Sequence, residues 1–338
     1  MDSERSVYQF HDALVSFAEG REINMEKLVL SIIIPTKNRE DLLSKALASI
    51  GKQPADQEFF EVIIIDNGST DGTRDVAKEY KEKIKNFRYF YDARPGLHVG
   101  RNRGLLESRG ELVGYLDDDV VLFPNWINTV LKAFEDQELM YVGGSVFPYD
   151  MTVITSEFRA KHETKKGLYQ YIFPLSCFWE SGVTENDTRI HEAENFFGGN
   201  CVYRKSVLQA CNGFHPDGMP NHLLMYRGDG ESYVREYILA NKMKAMYYAQ
   251  ASVYHLVDVK RVDDSYIKYM YFRGGISFMY TRLRADGIKG GMKKLVLDIL
   301  AILKQGENVY IAFGGGYLLA YYIFYKRVRD WVHKEDYF

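Results

Sequence analysis

Residues 28–34 (LVLSIII) form a nearly unbroken apolar run that stops at Pro35. A strand with one wet face would alternate apolar and polar residues, so this run demands cover on both faces, as in a parallel sheet. Residues 62–65 (VIII) repeat the pattern and stop at Asp66. Between them, residues 39–50 set Leu42, Leu43, Ala46, Leu47 and Ile50 at helical spacing. Asn67-Gly68-Ser69-Thr70-Asp71-Gly72 is turn chemistry with capping side chains, and it opens a helix over 73–80. A third strand over 87–91, a helix around 100–108 and a fourth strand over 112–116 continue the alternation. The pattern predicts an α/β fold: an open, mostly parallel central sheet with helices on both faces. Such sheets bind ligands outside the carboxyl ends of their strands. Asp66 and the run Asp117-Asp118-Asp119 fall at two such ends.

Residues 140–258 carry shorter, mixed segments. They include 194–202, a Gly-Phe-His-Pro turn at Gly213, and a strand over 244–248. Residues 1–27 read as a polar N-terminal extension with one short helix over 7–18. No internal repeat and no low-complexity linker interrupts the chain.

The net charge of -3 points to no nucleic-acid partner, but its distribution is uneven. From Lys260 onward there are 14 Lys and Arg against 8 Asp and Glu, so a basic end follows an acidic body. That balance suits a tail facing an anionic surface, or simply a solvated basic helix face. Cys177, Cys201 and Cys211 are odd in number and lack metal-ligand spacing, which suits a reducing cytoplasm. No signal peptide is visible at the N-terminus.

Three adjacent carboxylates at a strand end repel one another, and a cleft tolerates them best with a cation. Hard oxygen ligands favour Mg²⁺ or Mn²⁺, completed by substrate phosphates. In extended backbone Asp117 and Asp119 point one way and Asp118 the other; the bland alternative is an exposed acidic turn. Asp66, followed by Asn67, is placed to accept hydrogen bonds from a nucleoside, or to close an ordinary turn. Arg94, Arg101, Asn102 and Arg103 lie among glycines, where guanidinium and amide groups can hold a diphosphate, or form a solvated basic loop. Gly199 and Asn200 offer close backbone approach and an amide for sugar hydroxyls. Asp229 and Glu231 flank a glycine before a helix, where either can serve as a base or as an acidic cap. His255, after an apolar run, reads as a metal ligand or a core histidine.

Together these residues resemble the family-2 glycosyltransferases. Ser31–Arg39 (SIIIPTKNR) resembles that family's opening strand and loop, Ile65–Thr73 (IDNGSTDGT) its second signature, and Gly100–Gly104 (GRNRG) with Leu116–Asp119 (LDDD) its third and fourth. The resemblance covers roughly residues 28–258. It implies a GT-A fold, a divalent cation (Mn²⁺ or Mg²⁺), inverting displacement and a nucleoside-diphosphate sugar donor, with a UDP-hexose as the first expectation. On the same grounds Pro35, Thr36 and Arg39 would line the donor pocket. Asp66 would contact the base, Asp117 and Asp118 the ribose or sugar side, and Asp119 the metal. Asp229 would be the catalytic base, with Glu231 second, because Gly228 stands where the family usually carries Glu. His255 matches a histidine near the end of many family domains. The acceptor would be a saccharide or lipid-linked saccharide, as in cell-surface polysaccharide or glycolipid assembly. A sugar-phosphate nucleotidyltransferase would need a Gly-rich loop after the first strand, which Pro35-Thr36-Lys37-Asn38 is not; a catalytically inactive glycan-binding module is the other alternative.

The expected organisation is therefore an extension over 1–27, a catalytic domain over 28–258 and a helical, aromatic and basic segment over 259–338. Residues 309–325 are uncharged, just short of the roughly 20 residues that span a bilayer. Lys326, Arg327, Arg329 and Trp331 follow, which suits peripheral attachment to the cytoplasmic face of a membrane, or a helix packed on the catalytic domain.

Overall fold

Strand β1 (Leu30–Thr36) is buried at every residue, as its composition requires. Alternation sends Leu30, Ile32 and Ile34 into the core on one face of the sheet and Ile33 into the core on the other. The computed structural model describes residues 28–166, 169–172, 175–193, 196–305 and 315. The expected helix over 7–18 and, apart from Gly315, the run over 309–325 lie outside the described residues, as do residues 194 and 195.

After β1 come α1 (Glu40–Gly51), β2 (Phe60–Asp66), α2 (Thr73–Lys81), β3 (Phe87–Tyr91), α3 (Leu97–Glu107) and β4 (Leu112–Leu116). Helix α1 buries Leu43, Ala46, Leu47 and Ile50, one stripe at helical spacing, and opens with Glu40 and Asp41 against its positive end. Helix α2 closes with Lys78 and Lys81 near its negative end. Gly104 lets α3 lie directly on the sheet, since a Cβ there would meet Ile33 Cγ2 at 2.3 Å. Truncating a buried contact residue such as Leu47 to Ala would cost about 2–5 kcal/mol.

The chain continues through β5 (Val120–Leu122), α4 (Trp126–Ala133), β6 (Leu139–Gly143), β7 (Val146–Pro148), α5 (Ser156–His162), β8 (Glu163–Lys166), β9 (Tyr169–Ile172), β10 (Cys177–Glu180) and β11 (Ile190–Glu192). Then follow β12 (Asn200–Arg204), α6 (Lys205–Ala210), α7 (Glu231–Ala240), β13 (Lys244–Tyr248), β14 (Val253–His255) and the long α8 (Asp264–Gln305).

Among the described residues the strands form two sheets, ordered β11-β13-β6-β12-β4-β1-β2-β3 and β5-β14-β7-β10-β9-β8. The half built from β4, β1, β2 and β3 is parallel, as its buried runs predict. The other half is mixed: β12 enters antiparallel between β4 and β6, and β13 pairs parallel with β6. The parallel expectation thus holds where strand and helix alternate and gives way where the connections become irregular. Within residues 194–202 only the last part is strand, beginning at Asn200.

Three pairings position the site. Thr36 lies opposite Asp66 at the carboxyl ends of β1 and β2. Asn200 lies opposite Leu116, which sets Gly199 beside Asp117. His255 lies opposite Val120 in the second sheet, so the end of β14 meets the end of the carboxylate run. Helix α8 packs back on the preceding residues through Ser277, which accepts from Arg227 Nε at 2.6 Å, and through Thr281 and Arg284. No helix among the described residues is long and apolar enough to cross a membrane.

Candidate functional site

Asp118 is buried at the end of β4 and bonded on both oxygens. Thr36 Oγ1 donates to Oδ2 at 2.7 Å and Arg39 Nη1 donates to Oδ1 at 2.7 Å. Arg39 also reaches Asp119 Oδ2 at 2.9 Å, tying the start of α1 to two of the three carboxylates. Burial pushes the Asp118 carboxyl up to about 6; Arg39 opposes that shift and Asp119 adds to it.

Asp119 is 3% exposed and meets His255, also 3% exposed, with Oδ1 3.2 Å from Nε2. Arg261, just past β14, donates to Asp119 Oδ2 at 3.2 Å, and its Nη1 lies 3.3 Å from His255 Nε2. Asp119 Oδ1, a buried oxygen with no hydrogen-bond partner, faces that same ring nitrogen. An imidazole nitrogen and a carboxylate oxygen at this spacing suit neighbouring ligands of a cation coordinated at about 2.1 Å. Burial would raise the Asp119 carboxyl, but His255 and the guanidinium groups of Arg261 and Arg39 hold it well below the usual carboxylate range. Among the described residues no third His, Cys, Asp or Glu joins them in a metal-holding cluster. The donor set therefore fits a Mg²⁺ or Mn²⁺ ion that takes its other ligands from phosphate and water.

Asp117 stands apart from this pair, 37% exposed and 3.9 Å from Arg101 Nη2. Partial burial and the like charge of Asp119 push its carboxyl up. Gly199 accepts from Asp117 N at 3.2 Å, and a Cβ on Gly199 would meet Asp117 Oδ2 at 2.3 Å. Arg101 is itself buried on α3 and pairs with Glu231 at 3.0 Å. Glu231 is thereby tied to the guanidinium that faces Asp117.

On the other flank Asp66 accepts from Ser69 N at 2.7 Å and from Tyr89 Oη at 2.6 Å, so it closes an Asx-turn while keeping one lone pair on each oxygen. Asn67 donates to Asp92 O at 3.2 Å, and Gly100 packs tightly on both Pro35 and Asn67. Three of the expected binding residues are engaged elsewhere. Arg94 is exposed and forms a bidentate pair with Asp92 rather than turning toward the carboxylate run. Asn102 is buried and bonds both ways with the Phe214 backbone, at 3.0 and 2.9 Å. Asn200 is buried, accepts from Trp126 Nε1 at 2.9 Å and donates to Ala251 O at 2.9 Å, so its amide supports the sheet and is not free for an acceptor sugar.

Asp229 is 1% exposed and bonded on both oxygens. Oδ1 takes His215 Nδ1 at 2.6 Å; Oδ2 takes Arg284 Nη2 at 2.8 Å and Thr281 Oγ1 at 3.1 Å. Burial works against its charge, but His215 and Arg284 hold it below the usual carboxylate range. Sequence reasoning did not single out Arg261, His215 or Arg284 as site residues. His215 carried a signal, a histidine inside the Gly213-Phe214-His215-Pro216 turn. Arg261 and Arg284 carried none, being two among many basic residues near the C-terminus.

A family model described as glycosyl transferase family 2 matches residues 31–211. Validoxylamine A glucosyltransferase of Streptomyces hygroscopicus subsp. limoneus is 36% identical over 107 residues, covering 31% of this chain and 23% of that protein. GalNAc(5)-diNAcBac-PP-undecaprenol β-1,3-glucosyltransferase of Campylobacter jejuni is 35% identical over 105 residues, covering 30% of this chain and 33% of that protein. The chain thus spans about a quarter to a third of the length of these relatives. Among solved structures, the mannosyltransferase PcManGT from Pyrobaculum calidifontis, in complex with GDP-Man and Mn²⁺, superposes with a TM-score of 0.51 at 15% identity, covering 96% of this chain and 85% of that one. S. aureus TarS in complex with UDP-GlcNAc gives 0.51 at 15% identity, covering 73% and 66%. At such identities the likeness speaks for the fold, which is GT-A.

Proposed function

The chain belongs to glycosyl transferase family 2, and on that premise we propose that it transfers a sugar from a nucleoside-diphosphate sugar to a hydroxyl acceptor with inversion at the anomeric carbon. The observation that carries this reading is the meeting of Asp119 and His255 at 3.2 Å, with an orphaned carboxylate oxygen, at the carboxyl end of a central strand. Asp119 and His255 would hold the divalent cation, whose charge stabilises the departing diphosphate.

This chain's own residues do the rest. We assign Asp66, Pro35 and Asn67 to the nucleoside, each Asp66 oxygen keeping an accepting lone pair. Thr36 and Arg39 fix Asp118, and Arg39 also holds Asp119. Asp117, half-exposed beside Gly199 and Arg101, is the group available to ribose or sugar hydroxyls. We assign the base machinery to the surroundings of Asp229, next to Glu231, which Arg101 of α3 links to the Asp117 side. The acceptor we favour is a saccharide or lipid-linked saccharide. The basic balance after Lys260 supports contact with an anionic membrane face.

Purified protein incubated with UDP-glucose, UDP-GlcNAc or GDP-mannose, with Mn²⁺, Mg²⁺ or chelator, tests the reading through released nucleoside diphosphate. Metal-dependent release from one donor, lost in Asp119→Ala, is the expected result. Absence of metal-dependent donor binding by calorimetry would overturn it.

A further inference from the structure

The hydrogen bonds around Asp229 divide the base machinery between two side chains. The carboxylate is 1% exposed, and both of its oxygens are already engaged, by His215 on one and by Arg284 and Thr281 on the other. At 1% exposure it offers an acceptor hydroxyl almost no open surface. A carboxylate stabilised by a guanidinium and an imidazole is also a weakened base. His215 is the opposite case. Its side chain is 23% exposed, and among the described residues its Nε2 has no hydrogen-bond partner.

Asp229 can only accept, so at 2.6 Å it fixes the proton of a neutral His215 on Nδ1 and leaves the lone pair on Nε2. The ring is clamped for that purpose. It stacks on Tyr233 at 3.8 Å and 10°, and Tyr280 of α8 meets it edge-on at 5.6 Å. The loop that carries it is stitched to α3 by Asn102 on Phe214 and by Leu97 N on Asp217 O at 2.8 Å. The same helix supplies Arg101, over the Phe214 ring at 5.4 Å and facing Asp117. The imidazole therefore sits on the loop docked beside the donor-side carboxylate.

We infer that the acceptor hydroxyl gives its proton to Nε2 of His215, with Asp229 as the positioning carboxylate that holds the ring. This rests on the sugar-transfer reading. As the acceptor O–H proton moves to Nε2, the oxygen forms its bond to the anomeric carbon. The bond from that carbon to the donor phosphate breaks, and the nucleoside diphosphate leaves with the electron pair. The imidazolium so formed keeps its Nδ1–H on Asp229, whose charge balances it, and later returns the Nε2 proton to water. The groups facing the ring are Asp229 before α7, Tyr233 on α7, and Tyr280 and Arg284 on α8. Arg284 also binds Glu236 and lies over the Tyr233 ring at 4.9 Å.

Two measurements on the full chain test this. In protein carrying ¹⁵N-labelled histidine, the neutral His215 ring is expected as the Nδ1–H tautomer; a proton resident on Nε2 overturns the inference. With UDP-glucose, UDP-GlcNAc or GDP-mannose, Mn²⁺ and water as acceptor, His215→Ala is expected to slow diphosphate release by about a hundredfold or more. Donor Kd should stay within about threefold, added imidazole should restore about tenfold, and the acid limb of the pH–rate profile should vanish. A merely structural His215 would show no imidazole rescue and would keep the acid limb. Wild-type protein that binds none of these donors overturns the transfer reading itself. Donor turnover that His215→Ala leaves intact overturns only the proton route.

Discussion

Arg284, some twenty residues into the long helix α8, donates to Asp229 Oδ2 at 2.8 Å and so ties that helix to the residues just before α7. Replacing it with Met removes a charge-assisted bond from a buried carboxylate, while His215 and Thr281 remain. The expected loss is about 1.5–3 kcal/mol of unfolding free energy, read by urea denaturation. A loss indistinguishable from zero would mean that the helix end does not hold Asp229 in solution.

The Asp229 charge also sets a pH dependence. Its carboxyl lies below the usual range in the folded chain because His215 and Arg284 outweigh burial. In the unfolded chain it titrates near about 3.9. A depressed folded pKa adds stability above the unfolded value and loses it as pH falls through the folded value. Asp229→Asn should therefore be less stable than wild type at neutral pH, with the gap narrowing below about pH 4. Urea midpoints from neutral to acid pH check this; a gap that stays constant on acidification would contradict it.

Asp119→Asn keeps the shape of the side chain and removes the charge that opposes Arg39 and Arg261. Affinity for a nucleoside-diphosphate sugar in Mn²⁺ should fall by at least about tenfold, and the difference between Mn²⁺ and chelator should disappear. Calorimetry with and without metal reads both. Undiminished Mn²⁺-dependent binding would remove Asp119 from the ligand set.

Gly199→Ala tests close approach. The new Cβ would meet the tip of the Asp117 carboxylate at 2.3 Å, and that half-exposed side chain can swing away. Stability should change by less than about 1 kcal/mol, because a movable side chain yields more cheaply than a packed core. Donor affinity or turnover should drop about tenfold as the carboxylate leaves its position. A variant as active as wild type would show that the Asp117 orientation does not matter.

Much of the parallel half was legible in the sequence. The strand over 87–91 and that over 112–116 end where local pattern puts them, and α1 buries the stripe that its spacing predicts, except that Leu42 stays partly exposed. The carboxylates at the strand ends were equally plain. Polar residues outside the strand ends were read less well. Asn102 and Asn200 have the chemistry of binding groups, yet they serve the backbone of Phe214 and the sheet, and nothing local distinguishes the two uses.

The sequence by itself determined that buried strands would end in Asp66 and in Asp117-Asp118-Asp119, because apolar periodicity and turn chemistry act over a few neighbouring residues. Only the tertiary structure decided what meets those carboxylates. Pairing of β14 with β5 brings His255 to Asp119, Arg261 follows just beyond that strand, and the packing of α8 sets Arg284 against the Asp229–His215 pair. Contacts between residues far apart in the chain depend on how sheets and helices dock. Docking is governed by whole buried surfaces, which no short window of residues encodes.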